Sequence, residues 1–116
     1  MDGIDLFKEY IIDRDGRLLH YDEKKRGFIT YSYPPGERSE CFIDDMFVLD
    51  DRRELKVVMS MIRFVEGDAK KRGVKFLTAA VNIRKPDAAR ILKAHLWHGM
   101  KPVATSADFI YTAKEL

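Results

Sequence analysis

Apolar residues recur every three or four positions over residues 53–72, which is the period of an amphipathic α-helix. The apolar stripe is wider than the seam of a coiled coil, so we expect this helix to pack against a sheet. Its members are Leu55, Val57, Val58, Met61, Ile62, Phe64, Val65 and Ala69. Gly73 tolerates the left-handed backbone of a helix C-terminus, which predicts that the helix ends there.

A mostly apolar run at residues 41–49 precedes this helix and predicts a strand. The run passes through the charged residues 50–53 directly into the helix. The first turn of a helix has backbone N–H groups without intrahelical partners, and the positive end of the helix dipole lies there. A strand-to-helix junction of this kind is therefore a natural site for an anion such as phosphate.

The residues before this junction predict one helix and two further strands. Residues 4–11 have the periodicity of a short amphipathic helix. Residues 18–21 predict a short strand, and residues 28–33 are rich in aromatic and β-branched side chains followed by a Pro-Pro-Gly turn. We expect residues 28–33 and 41–49 to form an antiparallel hairpin.

The residues after the main helix predict a strand, a helix and two short strands. Residues 74–81 form a nearly continuous apolar run, which is typical of a strand covered on both faces. Pro86 is expected at the first helical position, where its missing N–H costs nothing, and the helix then extends through His98. Residues 101–104 and 108–112 predict the two short strands.

This order places a β-α-β unit in the middle of the chain and predicts an α/β or α+β fold. At 116 residues, of which 46% are hydrophobic, the chain fits one compact domain with its own core. We therefore expect a single domain over residues 1–116.

Charge and composition disfavour several classes of protein. The 21 basic and 19 acidic residues give a net charge of +2, which is a mixed field and disfavours a dedicated nucleic-acid binder. No apolar window is long enough to span a membrane and the first residues are acidic, so we expect a soluble cytoplasmic protein. The single cysteine, Cys41, predicts a small buried strand residue, and the three histidines are too scattered to predict a metal site.

Three stretches of the second half, from about residue 41 to the end, resemble the GNAT family of N-acyltransferases. Residues 47–53 enter a helix that ends at Arg72-Gly73, as the family's central strand enters its long helix through a Val-x-Pro-x-Tyr-Arg type turn. Residues 95–103 are similar to the family's Tyr-x-x-x-Gly-Phe and following strand, and residues 108–116 to its last strand. The N-terminal part is shorter than in a typical member and resembles short phage-type relatives.

The resemblance implies a GNAT-like acyl-CoA N-acyltransferase fold with a mixed central sheet flanked by helices and a trimmed N-terminus. It implies transfer of an acyl group from acetyl-CoA, or another acyl-CoA, to an amine of a small molecule or protein. The sequence leaves open a second class, a catalytically degenerate relative that binds and modulates a protein partner. It also leaves open whether the protein is a monomer or a homodimer.

In the family, an Arg/Gln-x-x-Gly-x-Gly/Ala loop holds the acetyl-CoA pyrophosphate at the start of the main helix. Arg53 takes the first position here, but Glu54, Lys56 and Val58 stand where small residues would be. Side chains at these positions obstruct close approach of phosphate to the backbone. The cofactor-binding residues that the resemblance implies are Met46, Phe47, Val48, Arg52, Arg53 and Lys56. The alternative is an ordinary solvated helix start.

Attack of an amine on a thioester needs a base for the amine proton and an acid for the leaving thiolate. The resemblance places the base at Asp44 or Asp45, with Asp45 the nearer match in register, and the acid at His95 in place of the family's tyrosine. Period-2 alternation predicts that the two aspartates point to opposite faces of the strand, so that at most one enters a given cleft. His95 has a free pKa near neutrality, which suits an acid, but it also lies on the helical stripe of Ile91. A half-buried, hydrogen-bonded core histidine is the alternative.

Overall fold

The computed structural model describes residues 3–10, 12, 14, 16–49 and 55–116, with side chains from residue 6 onwards. Three helices and six strands follow one another within these residues. They are α1 (Gly3–Tyr10), β1 (Leu18–Tyr21), β2 (Gly27–Ser32), β3 (Glu40–Val48), α2 (Leu55–Lys71), β4 (Phe76–Asn82), α3 (Ala88–Trp97), β5 (Lys101–Ser106) and β6 (Phe109–Glu115). The predicted phosphate-binding residues Arg52 and Arg53 lie outside the described residues.

The six strands form one mixed sheet in the order β1-β2-β3-β4-β6-β5. Strands β2 and β3 pair antiparallel, as the predicted hairpin requires, while β3 and β4 pair parallel. The parallel pair is connected through α2, which is the predicted β-α-β unit. The mixed α+β fold expected from the sequence is therefore confirmed.

The core lies between one face of the sheet and α2. Helix α2 contacts β2, β3 and α3, and its apolar stripe is buried except at Leu55, which is partly buried, and at Phe64, which is 48% exposed and so does not belong to the stripe as predicted. The central strands contribute the fully buried side chains Ile29, Cys41 and Leu77. Burial raises the pKa of the Cys41 thiol to about 12, so this residue is the inert strand residue that the sequence predicts. No helix in the described part of the chain has the length and apolarity needed to cross a bilayer.

Two predictions about elements are corrected by the structure. Strand β4 is not covered on both faces, because Leu77, Ala79 and Val81 are buried while Phe76, on the other face, is 37% exposed. The helices cover only the face with Leu77 and Ala79, which belongs to the same hydrophobic core as the buried residues of α2. The apolar run therefore predicts more burial of β4 than the structure shows. Helix α3 begins at Ala88, because Asp87 takes the N-cap position and places Pro86 outside the helix.

Candidate active site

Strands β3 and β4 are paired over only part of their length. The pairing runs from Glu40 opposite Phe76 to Ile43 opposite Ala79, whereas β3 continues to Val48 and β4 to Asn82. The two parallel strands therefore separate towards their carboxyl ends. In open sheets with parallel strands, this end is where ligands bind.

A β-bulge marks the point of separation. Thr30 of β2 lies opposite Asp45 and Tyr31 lies opposite Ile43, so Asp44 is one extra residue in β3 relative to β2. A bulge of this kind bends the strand and increases its twist. Because Asp44 directly follows the last residue of β3 that pairs with β4, the bend coincides with the opening.

The bulge also overturns the prediction that Asp44 and Asp45 point to opposite faces. Ile43 and Met46 are both buried, so the two aspartates lie together between two core residues, and both line the same cavity. The sequence contains one signal for this: the buried residues before the aspartates, Cys41 and Ile43, have odd numbers, whereas those after them, Met46 and Val48, have even numbers. Phe42 and Phe47 obscure this shift, because they are apolar residues at positions of β3 that are not buried.

The cavity in the opening has a volume of about 230 Å³. Its walls are residues 43–46 of β3 and residues 80–82 of β4, and α3 contributes Ile91 and His95. The structure thus brings together the predicted residues Asp44, Asp45, Met46 and His95. The cavity has no contribution from the predicted residues Phe47, Val48 or Lys56: Phe47 contacts Phe28, Val48 is buried in the core, and Lys56 is exposed on the first turn of α2.

Sequence reasoning missed Arg17, Lys85 and Asp87, which give the cavity most of its remaining charge. Lys85 and Asp87 lie in the loop between β4 and α3. Their position directly after a strand that is parallel to its neighbour was the available signal, because such loops border the ligand-binding end of the sheet. Nothing in the sequence alone brings Arg17 to this place, since it precedes β1 at the far edge of the sheet.

The carboxylate of Asp45 is already hydrogen-bonded from both sides of the cleft. Its Oδ1 accepts the Met46 backbone N–H at 2.8 Å and the Lys85 ammonium at 3.1 Å. The ion pair with Lys85 bridges β3 and the loop after β4. Both side chains are half-exposed, so the pair adds little to the stability of the fold.

His95 lies deeper, with only 1% of its surface exposed, and not half-buried as the alternative prediction has it. Its Nδ1 is 3.3 Å from the Thr112 hydroxyl oxygen, and its Nε2 is buried without a hydrogen-bond partner among the described residues. Burial, with a smaller effect from His98, lowers the pKa of His95 to about 4. The ring is therefore neutral at pH 7 and provides a hydrogen bond there, not the proton of an imidazolium.

Within the described residues, no three His, Cys, Asp or Glu side chains are grouped closely enough to hold a metal ion.

Comparison with solved structures assigns the fold. The sequence matches no protein-family model and no curated protein. A GNAT-family protein from Desulfovibrio desulfuricans has 15% identity and a TM-score of 0.74, covering 96% of this chain and 77% of its own. The PaiA N-acetyltransferase of Thermoplasma acidophilum, in complex with coenzyme A, has 14% identity and a TM-score of 0.74, covering 97% of this chain and 70% of its own.

YncA of Salmonella typhimurium, solved with its cofactor acetyl-CoA, has 11% identity and a TM-score of 0.70 over 99% of this chain and 74% of its own. At these identities the likeness establishes the fold. The chain has the GNAT acetyltransferase fold, as the resemblance of its second half implies.

Proposed function

We propose that this protein is an N-acyltransferase that transfers an acyl group from acetyl-CoA, or another acyl-CoA, to an amine of a small molecule or protein. The observation that supports this most directly is the separation of β3 and β4 at the bulge, with a cavity lined by Asp44, Asp45 and His95 in the opening. Two of the solved structures with the same fold hold coenzyme A or acetyl-CoA.

The residues of the cleft fit such a ligand. The buried Nε2 of His95 has no hydrogen-bond partner in the part of the chain that the structure describes, and a buried polar atom of this kind is explained by a ligand that bonds to it. Beyond Ile43, β3 no longer pairs with β4, so an extended chain with amide groups, such as the pantetheine arm of coenzyme A, fits beside it as an added strand. Met46 lies on this part of β3 and is proposed to contact the arm.

The first turn of α2 is proposed to hold the phosphates through charge. The described part of this turn, which begins at Leu55, contains no acidic residue, and Lys56 is exposed on it. Arg52 and Arg53 precede the helix in sequence, with Glu54 between them and Leu55, and are proposed to act with Lys56. Cations on flexible side chains bind phosphate without the close backbone approach that glycines permit.

Bound acetyl-CoA supplies a thioester whose acyl carbonyl is open to attack. We assign the removal of the amine proton to Asp45, with Asp44 as the neighbouring carboxylate, and in this role Lys85 must release Asp45 Oδ1. His95 is assigned a hydrogen bond from its neutral ring to the leaving sulfur, which stabilises the charge that develops there.

Calorimetric titration with acetyl-CoA tests the proposal. Binding is expected with a rise in melting temperature, because a ligand that binds only the folded state stabilises it. Ala80→Trp introduces a large side chain at the cavity and should abolish binding, whereas Ala104→Trp, at an exposed position of edge strand β5, should leave it intact. Absence of both heat and a melting-temperature shift at saturating acetyl-CoA would contradict the enzyme proposal and favour the partner-binding alternative.

A further inference from the structure

Thr112 contacts His95 but is not one of the residues that line the cavity. It lies on β6 and is buried. Its hydroxyl oxygen is 3.3 Å from His95 Nδ1 and 4.0 Å from the Met100 sulfur. Thr112 therefore reaches the cleft only through the ring of His95.

A neutral imidazole has one N–H, and the partner of one ring nitrogen decides which nitrogen holds the hydrogen. The Thr112 hydroxyl has a single hydrogen to donate and two acceptors within reach. The Met100 thioether is a weak acceptor and is the more distant of the two. If Nδ1 held the ring hydrogen, it would donate to the Thr112 oxygen at 3.3 Å, and the hydroxyl would have only the Met100 thioether at 4.0 Å as its acceptor. An imidazole lone pair accepts more strongly than a thioether, so the arrangement in which the hydroxyl donates to Nδ1 is favoured.

We propose that Thr112 is a positioning residue whose hydroxyl donates to Nδ1 of His95 and thereby places the ring hydrogen on Nε2. The Nε2–H is then a fixed donor inside the cleft. Protein N–H groups are seldom buried without an acceptor, so this donor serves a ligand atom, such as a carbonyl oxygen or a thiolate sulfur. The catalytic consequence rests on the acyl-transfer function proposed above, whereas the tautomer itself does not.

Nitrogen-15 NMR of the labelled full-length protein at pH 7 tests the tautomer directly. Long-range proton–nitrogen correlations distinguish a protonated ring nitrogen from one with a lone pair, and the His95 signals are assigned by their loss in His95→Phe. We expect a single Nε2–H tautomer in the wild type and in Thr112→Ser. Thr112→Val keeps the shape but removes the hydroxyl, and should give a mixture of tautomers.

Met100→Leu is the matched packing control, because it removes the weak acceptor and keeps the volume, and it should leave the tautomer unchanged. A wild-type spectrum with the hydrogen on Nδ1 would overturn the proposal, even if Thr112→Val did not fold. A folded Thr112→Val protein with an unchanged tautomer would overturn it as well.

Kinetics test the catalytic consequence. One ordinary hydrogen bond changes a tautomer ratio by up to about tenfold, for example from about 10:1 to about 1:1, so the fraction of the Nε2–H tautomer and kcat of Thr112→Val should fall by about twofold. The KM for acetyl-CoA should stay within twofold, and Thr112→Ser should recover most of kcat. Wild-type kcat in Thr112→Val would refute the positioning role. If the wild type neither binds acetyl-CoA nor turns over, the acyl-transfer proposal fails, and the NMR result still decides the tautomer.

Discussion

At the scale of single residues, burial sets the chemistry of the cleft. His95 is kept neutral because no charged partner compensates for its removal from water, and its free nitrogen is a hydrogen-bonding group of fixed position. Asp45 is at the other extreme, since it is half-exposed and balanced by Lys85. His95 can therefore offer a neutral hydrogen-bonding group, and Asp45 a solvent-accessible carboxylate, to a ligand that lies between them.

Replacement of His95 by Phe should reduce kcat by about 100-fold, since it removes the hydrogen bond that we propose His95 makes to the leaving sulfur. Acetyl-CoA affinity should be retained, because the ring volume stays in place. His20→Phe is the matched control: the His20 ring stacks on Phe64 at 3.6 Å, away from the cavity, and a phenyl ring can keep that contact. Full activity in His95→Phe, measured by thiol release, would exclude the assigned role.

Substitution by alanine is expected to have opposite effects on stability at two glycines, Gly27 and Gly67. A Cβ at Gly27 would lie 2.3 Å from the Phe47 carbonyl oxygen of the neighbouring strand, so Gly27→Ala forces the backbones of β2 and β3 apart. We expect a loss of about 1–3 kcal/mol in the free energy of unfolding.

Gly67 is the matched control, because it lies within α2 and a Cβ there has no neighbour within 4 Å. Gly67→Ala should raise the free energy of unfolding by about 0.5–1 kcal/mol, since alanine favours the helix. Urea unfolding measures both changes. Equal stability of the two variants would show that the close approach of β2 and β3 is wrong.

At the scale of elements, the extra residue in β3 opens the sheet. Without Asp44, the strand order Ile43, Asp45, Met46 would alternate regularly and keep the buried residues on the core face. Deletion of Asp44 should therefore give a folded protein with a straight β3.

The deletion variant should lose acetyl-CoA binding in calorimetry while its circular dichroism spectrum stays close to that of the wild type. Asp44→Asn keeps the bulge and is expected to retain binding, which separates the effect of length from that of charge. Wild-type affinity in the deletion variant would mean that the bulge does not create the cleft.

Most elements could be predicted from the sequence, and the cleft could not. The helix at Leu55–Lys71 and the strand at Glu40–Val48 lie within two residues of their predicted bounds, because periodicity and turn residues are local signals. The bulge at Asp44 depends on register with β2, and the contact of Thr112 with His95 joins residues that are distant in sequence. Pairing of this kind is set by the packed sheet.

At the scale of the whole molecule, Glu66 joins three elements behind the cleft. This residue of α2 is 7% exposed. Its Oε1 accepts a hydrogen bond from the Lys114 ammonium of β6 at 2.8 Å, and its Oε2 contacts His98 Nε2 at the end of α3. Burial alone raises the pKa of Glu66, but the hydrogen bonds from Lys114 and His98 outweigh it, and the pKa is lowered. The pairing makes Glu66 stabilise the fold above its unfolded pKa, and the contribution is lost on acidification.

Stability should fall in two steps as the pH is lowered. The unfolded state takes up a proton on His95 near the ordinary histidine pKa of 6.5, and the folded state only near 4, so unfolding becomes easier between these values, by up to about 3 kcal/mol. Asp22 follows: its hydrogen bonds with Arg26 lower its pKa from 3.8 to about 2, and this contribution is lost between those values.

Urea unfolding at pH 7, 5 and 3 measures these steps. His95→Phe should remove most of the dependence between pH 6.5 and 4 and leave a smaller part from His20, whose pKa burial also lowers, together with the acid step. Asp22→Asn should reduce the acid step to the part that Glu66 contributes and leave the upper step unchanged. A wild-type slope that persists in His95→Phe would show that another group titrates in the upper range.

The bulge has a genetic consequence. Without Asp44, the buried residues on both sides of it would alternate regularly along β3. The presence or absence of one in-frame codon therefore separates a strand that opens a cleft from a strand that only supports the fold. Loss of that codon would leave an intact scaffold free to acquire other roles. Under the acyl-transfer function proposed above, and with the deletion variant folded as predicted, this gene would pass from enzyme to scaffold in one mutational step, without an unfolded protein between them.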